Sequence, residues 1–266
     1  MREEILSAAF EKASVNLNAE QLHWFNRYFE MLVEKNKVMN LTAITEFDEV
    51  VVKHFVDSCM LFIDAKPCSD WEKAGFDGVF SSAVMRDQEV PTGKSTQGLS
   101  IIDVGTGAGF PGLPLKLLHS EISLTLLDTL RKRVDFLSEV VTELGLQNVT
   151  LRHDRAEDAA RDPKFREQFD VAVSRAVSRL SVLSEYCLPY VKVGGLFVAY
   201  KSGQSAEEIE EAKAAIRILG GEIETVSEFN VPGTDLSRSL VYIRKIQATP
   251  EKYPRKAGKA EKSPLK

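Results

Sequence analysis

A glycine-rich segment, DVGTGAG at 103–109, is the part of this sequence best suited to hold a small charged ligand. It follows an apolar run typical of a buried strand, and it precedes a predicted helix that has Pro111 in its first turn. Glycines at alternate positions let the backbone turn sharply and come close to a ligand. The order of strand, glycine loop and helix predicts a nucleotide-like ligand beyond the carboxyl end of the strand.

The acids near this loop help to distinguish between possible ligands. The spacing is G-x-G-x-G, whereas a pyrophosphate-binding loop has G-x-G-x-x-G and uses a helix N-terminus to meet negative charge. Asp103 suits a ligand that carries an ammonium and a sulfonium, and it is unfavourable beside a pyrophosphate. Asp128 ends the next predicted strand, where it can accept hydrogen bonds from ribose hydroxyls or, alternatively, cap a helix. We therefore predict S-adenosylmethionine, bound by Asp103, Gly105, Gly107 and Asp128, over a nicotinamide dinucleotide.

Residues at other predicted strand ends should line the same pocket, because ligands of open α/β sheets bind beyond the carboxyl ends of the strands. Ala156 and Glu157 follow the third strand and are placed to bracket an adenine ring. Arg175 follows the fourth strand and faces the transferable methyl group, with a surface salt bridge as its alternative role. Lys201 ends the fifth strand at the same edge, and we predict a functional role for it.

Short apolar runs that alternate with amphipathic stretches predict the elements that position these residues. The runs typical of strands are 100–104, 124–128, 149–153, 169–174, 196–201, 222–229 and 240–245. The stretches typical of the intervening helices are 111–118, 131–144, 180–188 and 206–219. This order predicts a Rossmann-like α/β fold with a seven-stranded, mostly parallel sheet. The last strand should be antiparallel, because only a loop separates it from the sixth.

The methyltransferase-like core is predicted to span 99–248, and two segments precede it. Residues 1–66 are typical of an α-helical cap, with one helix beginning at the capping box of Asn18 and Gln21 and another covering about 48–63. Residues 67–98 break any sustained period and predict an irregular loop or insertion.

A basic tail, 249–266, follows the core. From Pro250 onward it carries six Lys/Arg residues against two Glu. This composition predicts either a solvated, disordered terminus or a segment that contacts RNA phosphates.

Length and composition exclude several classes of protein. The 266 residues, 44% of them hydrophobic, are enough for one substantial core, and a net charge of −5 is not that of a wholly basic surface. Cys59, Cys68 and Cys187 lack the paired spacing of a metal site or disulfide framework, so we expect no metal and a reducing compartment. The sequence has neither a signal-like leader nor a long apolar run. We expect a cytoplasmic monomer that does not enter a membrane.

Several short motifs follow one another along the chain in an informative order. They are NLTAI at 40–44, KHF at 53–55, DS at 57–58, DVGTGAGFPG at 103–112, LDT at 127–129, KR at 132–133, FD at 169–170, SRA at 174–176, KSG at 201–203 and TPEKYPRKAG at 249–258. In this order they resemble the glucose-inhibited division protein B family, the RsmG methyltransferases. The resemblance covers the chain from Asn40 to the C-terminus.

This resemblance implies a class I S-adenosylmethionine-dependent methyltransferase that modifies the N7 of one guanine in small-subunit (16S) ribosomal RNA, free or in the assembling 30S particle. It implies cofactor contacts at Gly105, Phe110, Asp128, Thr129, Ala156, Glu157 and Arg175. Guanine N7 carries a lone pair at neutral pH, so alignment and electrostatics should supply the rate gain without a strong base. Lys201 and Arg175 are the candidates for this catalytic role. The SRAV at 174–177 agrees, since it replaces the Asn/Asp-Pro-Pro-aromatic motif of exocyclic-amine methyltransferases.

Basic and polar residues outside the cofactor pocket are candidates for RNA contact, because RNA is usually recognised through splayed bases and phosphates. They are Lys132, Arg133 and Arg238 in the core, Asn40 and His54 in the cap, and Arg255 and Lys256 in the tail. A structural role is the alternative for His54. Two other functions stay open at this point: a non-catalytic RNA-binding or ribosome-assembly module, and a small-molecule methyltransferase on the same fold.

Overall fold

Seven strands form one sheet in the computed structural model, which describes residues 1–63, 98–175, 178–203 and 205–266. They are β1 (Ser100–Val104), β2 (Ser123–Asp128), β3 (Val149–His153), β4 (Phe169–Ser174), β5 (Val191–Ser202), β6 (Gly221–Asn230) and β7 (Ser237–Lys245). Their order across the sheet is β3-β2-β1-β4-β5-β7-β6. The first five are parallel, and β7 is antiparallel to both of its neighbours. The predicted Rossmann-like sheet is confirmed, and the insertion predicted at 67–98 lies, apart from Gly98, outside the described residues.

Two strands begin three or more residues earlier than the sequence predicts. β5 starts at Val191 instead of 196, because Gly194 and Gly195 interrupt its apolar pattern without ending the strand. A Cβ on Gly195 would lie 2.6 Å from the Asp170 carbonyl oxygen, so only glycine fits between β4 and β5 there. β7 starts at Ser237 instead of 240, and this brings Arg238 into register with Ser202 at the carboxyl end of β5.

The four helices predicted at 111–118, 131–144, 180–188 and 206–219 lie close to their predicted bounds, and they belong to a set of ten α-helices among the described residues. The ten helices are α1 (Arg2–Lys12), α2 (Ala19–Met39), α3 (Phe47–Val50), α4 (Asp57–Ile63), α5 (Gly112–Leu118), α6 (Arg131–Glu143), α7 (Ala156–Ala159), α8 (Leu180–Cys187), α9 (Ala206–Ile218) and α10 (Lys259–Lys262). A 3₁₀ turn, Leu188–Tyr190, continues α8. The helix predicted at 48–63 has the expected extent, but its middle, Val51–Val56, is a π-helix that joins α3 to α4.

Alternate residues of the central strands supply two separate cores, one on each face of the sheet. Ile101 packs in the first core with residues of the cap and of α5 and α6, whereas Ile102 packs in the second with α8 and α9. Both residues are fully buried, as expected for a parallel sheet that is covered on both faces. The predicted helical cap is therefore one wall of the first core.

The cap is attached to the core through the first turn of α2. The predicted capping box is present: the Asn18 side chain accepts from the Gln21 backbone N–H, and the Gln21 side chain accepts from the Asn18 N–H, both at 2.9 Å. Gln21 Nε2 also donates to the Leu118 carbonyl at the end of α5, at 2.9 Å. The same side chain thus begins α2 and connects it to the sheet domain.

The basic tail packs against the second core, so its prediction as a disordered terminus is wrong. Tyr253 and Ala260 are buried, and Arg166 donates to the carbonyls of Thr249 and Tyr253 at 2.7 and 3.0 Å. Arg255 was predicted to contact RNA, but its Nε lies 2.8 Å from the carboxylate of Glu185, whose side chain is only 1% exposed. Backbone N–H and carbonyl groups of the tail, together with the side chains of Tyr253 and Arg255, fix it in place.

Replacing Arg255 with Met should lower the free energy of unfolding by about 3 kcal/mol, because the Glu185 carboxylate would stay buried without its cation. Urea denaturation of the full chain measures this change. Lys256→Met is the matched control, since Lys256 is the next residue and is exposed. Its effect should stay within about 0.5 kcal/mol. Equal stability of the two variants would show that the ion pair does not anchor the tail.

Candidate active site

The glycine loop that follows β1 is held from inside by Asp103. Its Oδ2 accepts from Thr106 Oγ1 at 2.6 Å and from the Gly112 N–H at 2.8 Å, which links the strand end to the start of α5. Burial raises the pKa of Asp103 to about 7, against the opposing effect of these two hydrogen bonds. Asp103 is fully buried, so the structure places its carboxylate in the protein interior and not at the wall where contact with the ammonium of a cofactor was predicted.

The far end of the loop rests on the cap. Tyr28 of α2 donates its hydroxyl to the Ala108 carbonyl at 2.6 Å, and its ring centroid lies 5.6 Å from that of Phe110. Gly109 has φ +110°, and a Cβ there would lie 2.7 Å from the Tyr28 hydroxyl. The close approach of loop and cap therefore depends on glycine at 109.

A cavity of about 400 Å³ opens beyond the carboxyl ends of β1, β2 and β3. This is the side of the β1–β4 switch point at which open α/β sheets bind their ligands. We call it the nucleoside cavity. Its lining residues are Val104, Gly105, Leu127, Asp128, Thr129, Arg133, Asp154, Arg155, Ala156, Glu157, Ser178, Leu183, Tyr186, Gly258 and Glu261.

Asp128 is the acid of this cavity that lies nearest the glycine loop. Its Oδ2 accepts from the Gly107 N–H at 2.9 Å, and its Oδ1 accepts from the Leu130 N–H at 2.8 Å, just before α6. Asp128 thus lines the cavity predicted to hold the cofactor, and it does not cap α6, whose N-cap residue is Leu130. Arg133 Nη1 lies 3.5 Å from the Asp128 carboxylate, so this predicted RNA contact stands at the nucleoside cavity.

The opposite wall joins the start of α7 to the tail. Glu157 is 6% exposed, and its Oε1 accepts from the Gly258 N–H at 2.9 Å. The neighbouring Ala156 carbonyl accepts from the Tyr190 hydroxyl at 2.6 Å. Together with the apolar side chains of Leu127 and Leu183, this wall offers both apolar and polar contacts to a ligand.

A second cavity, of about 810 Å³, lies beyond β4 and β5 against the cap. We call it the acceptor cavity. It meets the nucleoside cavity at Ser178, which lines both. Its charged lining residues are five cations and two acids: Lys53, Arg175, Arg179, Lys201, Arg238, Asp57 and Glu208. The excess of positive charge favours an anionic ligand here.

Asp57, at the start of α4, is the centre of this charged lining. Its side chain is only 2% exposed, and it lies between two arginines, with Arg175 Nη1 at 3.1 Å and Arg238 Nε at 3.3 Å from its oxygens. Arg175 Nη1 also donates to the Lys53 carbonyl in the π-helix, at 3.2 Å. One carboxylate therefore connects the cap to the end of β4 and to the start of β7.

His54 lies beside this arginine, on the π-helix. Its Nε2 is 2.8 Å from Thr42 Oγ1, and its Nδ1 is 3.2 Å from Arg175 Nη2. Nδ1 also lies 3.1 Å from the Lys53 carbonyl oxygen, so this nitrogen has both a donor and an acceptor within hydrogen-bond distance. Burial, and next the charge of Arg175, lower the pKa of His54 to about 4. The imidazole is therefore neutral at physiological pH.

Phe110 supports both side chains from the loop. Its ring stacks on His54 with centroids 4.6 Å apart, and the Arg175 guanidinium lies 5.1 Å from its centroid. It lines neither of the two cavities. Phe110 was predicted as a cofactor contact, and the structure places it behind the residues that face the acceptor cavity.

The remaining predicted site residues are divided between these surfaces. Lys201 lines the acceptor cavity, but its Nζ is held at 2.7 Å by both the Ser178 carbonyl and Glu208. Thr129 lines the nucleoside cavity next to Asp128, while Lys132 is exposed on α6. Asn40 ends α2 in a left-handed conformation and is exposed.

Sequence reasoning missed several residues that complete the two cavities. Asp57 lies within a motif that carried the family resemblance, so its position was visible even though its pairing was not. Tyr186 reaches the nucleoside cavity from α8, and Gly258 and Glu261 reach it because the tail folds back over this helix. No local pattern encodes that return.

Two kinds of feature are absent from the described ranges. Among these residues no group of His, Cys, Asp and Glu side chains is arranged to hold a metal ion. No described helix is both long and apolar enough to cross a membrane.

Comparison with known proteins identifies the family. Residues 87–241 match the family model GidB, described as rRNA small subunit methyltransferase G. A ribosomal RNA small subunit methyltransferase G from Lactobacillus johnsonii is 45% identical over 265 residues, which cover 100% of both chains. The protein of the same name from Lachnoclostridium phytofermentans is 44% identical over 251 residues, covering 94% of this chain and 92% of the relative. The chain therefore belongs to the rRNA small subunit methyltransferase G family.

Proposed function

We propose that this chain transfers a methyl group from S-adenosylmethionine to the N7 of a guanine in small-subunit ribosomal RNA. The observation that carries the proposal is the pair of cavities that meet at Ser178, one suited to a nucleoside and the other cationic. Family membership supports the choice of ribosomal RNA as substrate. One copy of the chain contains both cavities, which supports action as a monomer. We place this action in the cytoplasm, on free RNA or on an assembling 30S particle.

The residues of the nucleoside cavity fit the cofactor. Asp128 keeps lone pairs for ribose hydroxyls beyond those used by backbone N–H groups, and Ala156, Leu127 and Leu183 offer apolar contact to an adenine. Glu157 and the loop at Gly105 add polar contacts. When bound, S-adenosylmethionine supplies a methyl group activated by its sulfonium. No step of the proposal needs a metal ion.

The acceptor cavity has to accommodate the positive charge that methylation creates on the guanine. A guanine methylated at N7 is cationic, so a charged imidazole next to it would raise the barrier. His54 avoids this because its lowered pKa, about 4, keeps it neutral. Asp57 offsets the charges of Arg175 and Arg238, which are left to meet RNA phosphates. Alignment and this electrostatic arrangement, without a general base, then provide the rate gain.

The proposal is tested by mapping N7-methylguanine in small-subunit RNA. Borohydride and aniline cleave RNA at this base, and cells that lack the gene should lose one cleavage site. The purified chain should restore that site in vitro with S-adenosylmethionine. An unchanged cleavage map would reject the proposed substrate. Binding of S-adenosylmethionine without any RNA methylation would instead favour a small-molecule acceptor, and RNA binding without methylation a non-catalytic module.

Asp57→Asn should lower kcat for RNA methylation by at least tenfold, because Arg175 and Arg238 would lose the carboxylate that orients them. The dissociation constant of S-adenosylmethionine should change less than about threefold, since Asp57 lies outside the nucleoside cavity. Asp48→Asn is the matched control on the preceding helix. Asp48 is exposed and lines neither cavity, so this change should leave kcat unchanged. Equal kcat for the Asp57 variant and wild type would exclude this positioning role.

The neutral state of His54 has a measurable effect on stability. The folded-state pKa, about 4, lies below the ordinary value of 6.5, so between these pH values the unfolded chain binds a proton that the folded chain does not. The free energy of unfolding should therefore fall as pH drops from 7 to 5, with His54 contributing about 1–2 kcal/mol of that loss. His54→Gln should lose correspondingly less in urea denaturation at the two pH values. Parallel losses in variant and wild type would contradict a lowered pKa.

A further inference from the structure

The tail has two faces, and only the inner one is used by the cofactor site. On the inner face, the Gly258 N–H donates to Glu157 at the nucleoside cavity, and Arg255 pairs with buried Glu185. Arg161, just after α7, donates to the Pro254 carbonyl. These contacts fix the backbone of the segment on which the outer side chains stand.

The outer face is strongly cationic. Lys252, Lys256, Lys259 and Lys262 are exposed and line one shallow concavity of about 520 Å³, to which Arg161 and Arg255 also contribute. No acid lines this concavity, because Glu261 points into the nucleoside cavity instead. Within the described parts of the chain, none of the four lysines has an acidic partner within 4 Å. We call these four residues the tail lysines.

Overall charge does not account for this cluster. The chain carries a net charge of −5. A concavity that holds four exposed lysines and no acid therefore has the opposite sign of charge to the chain as a whole. Their ammonium groups are held on an anchored backbone, which reduces the entropy lost when a polyanion binds. Four unpaired cations on one concavity match the regular negative charge of a nucleic acid backbone.

We propose that the tail lysines form a docking surface for the phosphate backbone of ribosomal RNA, separate from the acceptor cavity. This inference rests on the proposed function, which makes RNA the substrate. Gly258 lines both this concavity and the nucleoside cavity, so RNA on the tail lies directly beside the cofactor site. The surface binds phosphates and therefore contributes affinity without sequence specificity.

The test is a fourfold variant of the full chain, Lys252→Gln, Lys256→Gln, Lys259→Gln and Lys262→Gln. Its affinity for in vitro transcribed small-subunit RNA is measured by filter binding over a range of salt concentrations. The loss of four phosphate contacts should weaken binding at low salt at least about tenfold and reduce the slope of log K against log salt by about 3. The dissociation constant of S-adenosylmethionine and the melting temperature should stay unchanged, because all four side chains are exposed.

The control removes the same charge elsewhere, as Lys12→Gln, Lys192→Gln, Lys213→Gln and Arg217→Gln, four exposed residues that line none of the three cavities. It should keep most of the RNA affinity and of the salt slope. Equal affinity and slope of the tail variant and this control would overturn the docking surface. Failure of the wild-type chain to bind the RNA at any salt concentration would overturn the proposed function as well.

Discussion

The buried carboxylate of Asp57 is the constraint on which the arrangement of the site depends. It belongs to the cap, yet both of its charged partners belong to the sheet domain, Arg175 at the end of β4 and Arg238 near the start of β7. A carboxylate so deeply buried is costly unless cations and hydrogen bonds compensate it. The cap is thereby fixed relative to the strand ends at which the acceptor cavity opens. Movement of the cap would separate these charges in a poorly solvated place.

The sheet order explains why the two cavities adjoin. β1 pairs with β2 on one side and with β4 on the other, so the chain reverses direction across the sheet between them. Loops from the two halves diverge at such a switch point and leave a crevice. The nucleoside cavity occupies the β1–β3 side, and the acceptor cavity the β4–β5 side. The antiparallel strand β7 places Arg238 in the lining of the acceptor cavity.

Much of this architecture is predictable because it is local. The β3 and β4 strands have the bounds that their apolar runs predict, and the capping box of Asn18 and Gln21 forms as its spacing requires. The glycine loop lies where its spacing places it, and Asp128 lines the cavity assigned to the cofactor. Each of these features is encoded within a few consecutive residues, where periodicity and turn preferences act.

The contacts that the sequence did not indicate depend on the packing around each side chain. Asp103 was assigned to the ligand, but the hydrogen bonds that turn it inward come from its own loop and from the start of α5. Arg255 was assigned to RNA because its charge was visible, while its partner Glu185 lies on a distant helix. The π-helix also escaped prediction. It contains Lys53, whose carbonyl accepts a hydrogen bond from Arg175. Charge and composition indicate which interactions a side chain can make, and tertiary packing determines the partner with which it makes them.

Because the tail folds back over the nucleoside cavity, the residues that complete this cavity are synthesised last. Asp128 and Glu157 belong to the first half of the sheet, but Gly258 and Glu261, which close the same cavity, are translated only after all seven strands. A nascent chain that already displays the glycine loop therefore still has an open cavity and lacks the partner of Glu157. The cavity therefore gains its last wall only when the C-terminal tail has been synthesised.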